Sequence, residues 1–452
     1  MATVTPAERR PEDWTDAEVA KGLRAFMLIW AAQLTARIGN GLTAFGLGVH
    51  VYRETGQSTA VALVTMAAFL PGVLLAPLGG VLADRFDRRL LMILGDGLSA
   101  VGLVALLVLL HNGIGSVAVI CACVAFGSLF TSVMDPAYRA TVSDLLTPEQ
   151  YARAGGLVQF TSAAQYLVSP AIAGVLMGWF GIRLVLMVDI ATMAVTVACM
   201  ALVWRTVKSP RRTAPTGFWE DFRSGVSFLA AHRGITVLML LVTLVTFCMG
   251  FLQTLLTPMV IDLSSEEVLG AVRSVAAVGM VVASLAIGVF NMGSRHLTYI
   301  AVALAAAGVT VAAMGVAVNV LLIGAFAFLF FMTLPPLNTS VEVLARASIP
   351  NETQGKVWGL MGLISQLGYI GAYAVSGPLA DGLFNPLLVS DGALAASLGP
   401  VFGTGPSRGI GLLLVLVGAL LVGTALLIPR VKSIRTIEEQ LVRQTLRTKE
   451  KV

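Results

Sequence analysis

Of the 452 residues in this chain, 57% are apolar and 12% charged, and the mean hydropathy is +0.86. That balance excludes an ordinary soluble domain and points to an integral membrane protein. The net charge of +5 at neutral pH is no sign of a nucleic-acid partner, because the basic residues gather where membrane insertion and anionic lipid place them.

Stretches of about 20 apolar residues, enough to cross a hydrocarbon core roughly 30 Å thick, recur along the whole chain. The alternating short strands of an outer-membrane barrel are missing, so the spans are predicted helices that close their own backbone hydrogen bonds in lipid. The first 23 residues carry Glu8, Glu12, Asp13, Asp16 and Glu18. Such an acidic flank does not suit a cleaved secretory signal, and the first span is expected to stay as an anchor. In chain order, twelve spans fall near 24–51, 60–83, 90–110, 116–143, 150–179, 182–204, 234–261, 266–291, 297–316, 319–347, 356–384 and 408–429.

Lys and Arg mark the cytoplasmic side. With an even number of spans, most of the 30 basic residues fall in the N-terminal tail, the even-numbered turns, the central linker and the C-terminal tail. Only Arg53, Arg183 and Arg408 sit at the other side, and Arg37 and Arg273 lie deep in spans. Both termini are therefore expected in the cytoplasm, the chain being a multi-pass protein of the inner or plasma membrane.

The longest polar interruption, 205–233, holds Lys208, Arg211 and Arg212, then Phe218, Trp219, Phe222, Val226 and Leu229 at mostly helical spacing. It reads as an amphipathic helix on the inner membrane surface. It also divides the chain into a tail (1–23), six spans (24–204), the linker (205–233), six more spans (234–430) and a basic tail (431–452).

Cys121, Cys123, Cys199 and Cys248 lie in apolar spans without metal-ligand spacing and read as packing residues. The four histidines are scattered, and no nucleotide-binding, metalloprotease or nucleophile-elbow motif occurs. The chain reads as no enzyme, with neither cofactor nor metal. A monomer is expected.

The halves show faint self-similarity. Gly80 to Leu90, after the second span, has a counterpart at Gly288 to Leu297, after the eighth, and Pro136, Pro148 and Pro170 are echoed by Pro336, Pro350 and Pro378. Two six-helix halves around a midplane cavity is an architecture of secondary transporters.

The run Gly80-x-x-x-Asp84-Arg85-x-x-Arg88-Arg89 resembles the loop signature of the major facilitator superfamily. Asp135-Pro136-Ala137, Ser143-Asp144-Leu145, Thr147-Pro148-Glu149, Ala152-Arg153-Ala154 and Ser169 to Gly174 resemble the branch that contains macrolide efflux pumps and the enterobactin exporter. Gly403 to Gly409 also resembles a loop of exporters often associated with peptide natural products. The resemblance implies an all-α membrane protein of twelve helices in two pseudo-symmetric six-helix bundles. It further implies proton-coupled export by alternating access, with amphipathic small molecules, protons and membrane lipids as partners.

Within that frame, Gly80, Asp84, Arg85, Arg88 and Arg89 are predicted to form a gate latch: the carboxylate meets a helix N-terminus and the guanidiniums meet carboxylates or lipid phosphate. The bland reading is a positive-inside anchor. At Asp87 the superfamily signature usually has glycine, which suggests a less tight turn. The fourth span lacks the arginine that many proton-coupled drug antiporters carry within the stretch Val117 to Met134. Asn40 occupies a position where relatives often carry Asp.

Proton carriers must be acidic groups inside spans. Asp96 and Asp189 lie about two turns into the third and sixth, and Asp135 and Glu342 in the inner parts of the fourth and tenth. Asp135 beside Pro136 also reads as a helix cap and bend, and Glu342 as a local pair with Arg346. Arg37 is expected to face Asp96, Asp189 or an anionic group of the cargo. Gln33, Asn40, Gln159, Gln165, Tyr166, Gln253, Asn338, Gln366 and Tyr369 would supply the polar points of a weakly polar cavity, although single amides in spans are more often interhelical hydrogen bonds. Two other readings stay open: a transporter of lipid or lysolipid, and a membrane sensor on the same fold.

Overall fold

The computed structural model describes residues 15–206, 218–290, 293 and 295–449, and every regular element among them is helical. The chain forms two units, one of Met1–Glu54 with Leu63–Pro215 and one of Thr55–Ala62 with Thr216–Val452. The first contains α1 (Asp16–Thr55), α2 (Ser58–Arg85) beyond its opening turn, α3 (Arg88–His111), α4 (Val117–Thr131), α5 (Met134–Leu145), α6 (Tyr151–Leu167) and α7 (Ser169–Thr206). The second contains α8 (Phe218–Ala231), α9 (Arg233–Ile261), α10 (Glu266–Val289), α11 (His296–Val316), α12 (Val320–Ser348), α13 (Asn351–Leu379), α14 (Asn385–Leu388), α15 (Ala395–Phe402), α16 (Gly409–Leu427) and α17 (Lys432–Lys449).

Nine stretches among the described residues are long and apolar enough to cross a membrane. One of them, Arg153–Trp204, is 52 residues long, about 78 Å at the rise of an α-helix and far beyond one bilayer core. It breaks at Gly181 (φ 72, ψ −173), a left-handed conformation that glycine adopts without a Cβ clash, so it makes two crossings. The more polar α1 (40 residues) and α13 (29 residues) are also long enough to span, and with them the expected twelve crossings are reached.

The fourth and fifth crossings are each built from two helices. The break at Ser132–Val133 precedes Pro136, and the break at Val168 precedes Pro170. A proline ring clashes with the carbonyl four residues back and offers no N–H, so the helix yields in the preceding turn. Pro258, Pro335, Pro336 and Pro378 instead lie inside continuous helices, the last followed by a π-helical turn at Ala380–Phe384.

At one end of the first unit, Phe26 and Ile29 of α1, Met92 of α3, Tyr138 and Leu145 of α5, and Met200 and Val203 of α7 close an apolar core. Trp30 Nε1 ties α1 to the Leu157 carbonyl of α6 at 2.8 Å. In the second unit α11 and α16 run against each other at backbone contact. A Cβ on Gly315 would lie 2.2 Å from the Gly411 carbonyl oxygen, and one on Gly308 would lie 2.5 Å from that of Gly418. In the same unit Asp381 accepts from the backbone N–H groups of Ser58 (3.1 Å) and Thr59 (2.7 Å) and from the Thr59 hydroxyl (2.7 Å). It thereby satisfies the open N–H groups at the start of α2 and complements its dipole.

Two regions outside the crossings extend the sequence reading. The linker is helical from Phe218, where α8 sets Gly225 against Leu360 of α13 and buries Leu229. The residues 207–217, including Lys208, Arg211 and Arg212, lie outside the described residues, as does the tail 1–14. The C-terminal tail is not a plain basic extension but the helix α17. It buries Ile434 and Ile437, the latter against α9 near Gly234, and its Glu438 accepts from the Leu297 N–H of α11 at 2.7 Å.

Candidate functional site

Asp96 is carried inward by the helical period of α3, whose buried stripe is Met92, Gly95, Asp96, Ser99, Leu103 and Leu106. Asp189 sits on the equivalent stripe of α7 between Val185, Leu186 and Met193. Each carboxylate is 1% exposed, and the two are within electrostatic reach of one another. The Thr192 hydroxyl donates to Asp189 Oδ1 at 3.4 Å and to the Asp189 carbonyl at 2.7 Å. Thr43 of α1 faces Asp189 without closing a bond of good geometry. Oδ2 of Asp96 and Oδ2 of Asp189 have no hydrogen-bond partner among the described residues. Gly39 of α1 makes the approach possible, since a Cβ there would meet Thr192 Oγ1 at 2.2 Å and Asp189 Oδ1 at 2.5 Å.

The structure brings these two acids together from elements far apart in sequence. Neither carboxylate forms a salt bridge among the described residues, and Arg37 lies within charge range of Tyr166. Tyr166 is 55% exposed although it belongs to a crossing. Asn40 and Gln165 are partly buried, Gln159 is exposed, and Gln33 is buried in helix packing with Nε2 unpartnered among the described residues.

The other acids stand differently. Glu342 and Arg346 form an exposed pair at 2.5 Å, one helical turn apart, at the end of α12. A surface pair of this kind contributes little to stability. The Asp135 side chain lies outside the described residues; its backbone opens α5 just after the helix break. Thr147 and Gln150 form a capping arrangement in which Gln150 Oε1 accepts from the Thr147 N–H at 3.2 Å. The Thr147 hydroxyl holds the exposed Glu149 carboxyl below its ordinary range. Thr147-Pro148-Glu149 is thus a helix start.

Of the proposed latch, Arg88 and Arg89 are buried at the start of α3, at 5% and 2% exposure. The side chains of Gly80, Asp84 and Arg85 lie outside the described residues. Asp87 has an unstrained extended backbone (φ −63, ψ 117), and its Oδ1 accepts from the Arg89 N–H at 2.9 Å as the N-cap of α3. The turn therefore needs no glycine.

The second unit holds a polar network of its own. Arg273, about 10 Å along α10 from its first residue by helical rise, donates through Nη2 to the Gln253 carbonyl (2.9 Å) and to Thr257 Oγ1 (2.8 Å) on α9. Tyr373 of α13 donates to Gln253 Oε1 at 2.6 Å, and its ring lies 6.0 Å from that of Tyr369. Gln366 is partly buried on α13 and Asn338 exposed on α12.

Residues 29–373 match the sequence model of the Major Facilitator Superfamily. The chain belongs to that superfamily. Macrolide efflux protein A of Streptococcus pyogenes is 24% identical over 353 residues, which cover 76% of this chain and 86% of that protein. Multidrug efflux pump Tap of Mycolicibacterium fortuitum is 26% identical over 385 residues, 78% of this chain and 89% of the pump. Among solved structures, a bacterial homologue of the lysosomal transporter Spinster superposes with a TM-score of 0.64 at 14% identity, over 94% of this chain and 96% of that one. This likeness shows the fold. The chain is therefore a multi-pass membrane transporter of the major facilitator type, with efflux pumps among its relatives.

Sequence reasoning singles out Asp96 and Asp189 separately, because a charge in an apolar run is conspicuous. It leaves Arg273, Thr257 and Tyr373 out of the candidate site. Arg273 shows in the sequence as a cation deep in a span, but its acceptors include a backbone carbonyl that no side-chain pattern reveals.

Proposed function

We propose that this major facilitator exports amphipathic small molecules by alternating access, driven by protons that enter through Asp96 and Asp189. The observation that carries the reading is the pair itself: two fully buried carboxylates on α3 and α7, each with an unpartnered oxygen and neither in a salt bridge among the described residues. Two acids that sense each other in a dry site cannot both be charged without cost, so their proton occupancies are coupled. An ionisable group inside a membrane bundle that is not neutralised by a structural partner marks an ion pathway. The names of the relatives support export of drug-like small molecules, and the sequence bias of Lys and Arg supports a chain inserted in the cell membrane with both termini in the cytoplasm.

Cells that express the chain should accumulate less labelled erythromycin, and a protonophore should restore accumulation. Asp96→Asn or Asp189→Asn should each reduce the export rate about 10-fold or more, the scale of losing one required proton-transfer group, while the protein remains in the membrane at native levels. Export that survives both substitutions, or ignores the protonophore, would remove the carboxylate pair from the mechanism.

A further inference from the structure

The ends of α9, α11 and α16 and the loop 403–408 enclose a cavity of about 150 Å³. It lies within the second unit, away from the carboxylate pair, and its loop falls beyond the family-matched residues 29–373. We infer that this cavity binds a small zwitterion, in its simplest form an α-amino acid, with Arg408 holding the carboxylate and Asp262 the ammonium. The inference is independent of the export reading.

Two opposite charges line the cavity from different elements. Asp262 is the C-cap of α9, and the partly buried Arg408 is the N-cap of α16. Each stands at the helix end whose dipole has its own sign, so the two dipoles reinforce the two side chains. The charges sense each other, yet Arg408 forms no ion pair among the described residues. Asp262 Oδ2 accepts from the Ser407 hydroxyl, a neutral donor that orients the carboxylate without cancelling its charge. A plain anion would gain from Arg408 and be repelled by Asp262, and a plain cation would meet the reverse. A ligand that carries both signs gains at both points, and partial burial magnifies the difference.

The loop sets the position of the guanidinium. Gly403 is left-handed (φ 80), and a Cβ there would sit 3.2 Å from Arg408 Nε and 3.5 Å from its Cζ, so glycine lets the guanidinium lie against the backbone. The Gly405 N–H donates to the Leu388 carbonyl at 3.0 Å and the Arg408 N–H to the Gly405 carbonyl at 3.3 Å, which ties the loop down. Met259 and Leu263 add an apolar wall, while Thr404 and Pro406 on the loop side are exposed and leave an entrance. A cavity of this volume takes a molecule about the size of benzene. That suits a compact aliphatic amino acid and is too small for a macrolide. On the orientation proposed above this end faces away from the cytoplasm, so the ligand arrives from outside the cell.

Calorimetric titration of purified full-length protein in detergent with L-valine, isobutylamine and isovalerate tests this without any transport step. Isobutylamine is valine without its carboxylate, and isovalerate is valine without its ammonium. Valine should bind with a Kd of about 1 mM or tighter, a scale open to so small a ligand. Each truncated probe should bind about 10-fold or more weakly, the scale of one lost hydrogen bond to a charged group. Arg408→Gln should weaken valine by a similar factor and make isobutylamine bind better than it does to the native protein, because the repelling cation is gone. Asp262→Asn keeps an acceptor for Ser407 and should do the mirror image, weakening valine and tightening isovalerate. Damage to the fold alone would not raise the affinity for either truncated probe.

No saturable binding of valine at about 10 mM would overturn the inference. Isovalerate matching valine on the native protein would do so by marking a plain anion site, and isobutylamine matching it by marking a plain cation site. Unchanged valine affinity in a folded Arg408→Gln protein would place the amino acid elsewhere and would equally overturn it. The three probes on the native protein decide the matter if neither variant folds.

Discussion

Asp87 shows how one side chain substitutes for backbone freedom. The superfamily signature usually has glycine there, which suggests a tight turn, yet this chain enters α3 through an ordinary extended residue whose carboxylate caps the helix. An Asp N-cap satisfies an open N–H group and places negative charge at the positive end of the helix. Asp87→Ala should therefore lower stability by about 1 kcal/mol, whereas Asp87→Gly should cost only a few tenths, the ranking known for N-caps. Thermal unfolding of the purified protein in detergent measures both; a Gly variant less stable than the Ala variant would contradict the capping role. The same scale explains why the carboxylate site is only half legible from sequence. Asp96 and Asp189 stand out as charges in apolar runs, but their meeting depends on the rotation of α3 and α7 about their axes. It also depends on Gly39 leaving room for Asp189 and Thr192, and the sequence displays Gly39 as one of 46 glycines.

Among whole elements, α11 and α16 differ from the helices around them because their backbones touch. In a membrane there is little hydrophobic drive to pair helices, so close packing at small residues does the work. The Gly315–Gly411 and Gly308–Gly418 contacts provide it at two levels, seven residues apart on each helix. Gly315→Ala would press a Cβ to 2.2 Å from a carbonyl oxygen, so the helices must separate, at a cost of about 1–3 kcal/mol. Gly423→Ala, on the same α16 with nothing within 4 Å, should be neutral or stabilising by about 0.5–1 kcal/mol through helix propensity. Equal effects on the unfolding temperature would mean that the close approach is not holding this pair. The crossings themselves are plain in the sequence, since apolar length decides them. The breaks within the fourth and fifth crossings follow from Pro136 and Pro170. The docking of α17 is harder to see, because Ile434 and Ile437 are few among charged neighbours and their stripe gains meaning only when α9 and α11 are beside it.

For the molecule as a whole, the informative element is α2, whose opening turn counts with the second unit while its remainder counts with the first. That first turn is held within its own unit by Asp381. The carboxylate resists release with three hydrogen bonds, two of them at 2.7 Å, aided by the positive end of the helix dipole. Ser58 is 1% exposed beneath this cap, so a cysteine there reports opening directly. In purified Ser58→Cys protein in detergent, a maleimide should react slowly. Adding Asp381→Ala removes about 1–2 kcal/mol of capping and should speed labelling about 5-fold or more. Asp381→Asn keeps an acceptor but loses the charge, and should fall between the two. An unchanged labelling rate in Asp381→Ala would show that the turn is held by packing alone, for instance by Gly377, whose Cβ position lies 2.5 Å from Thr59 Cα.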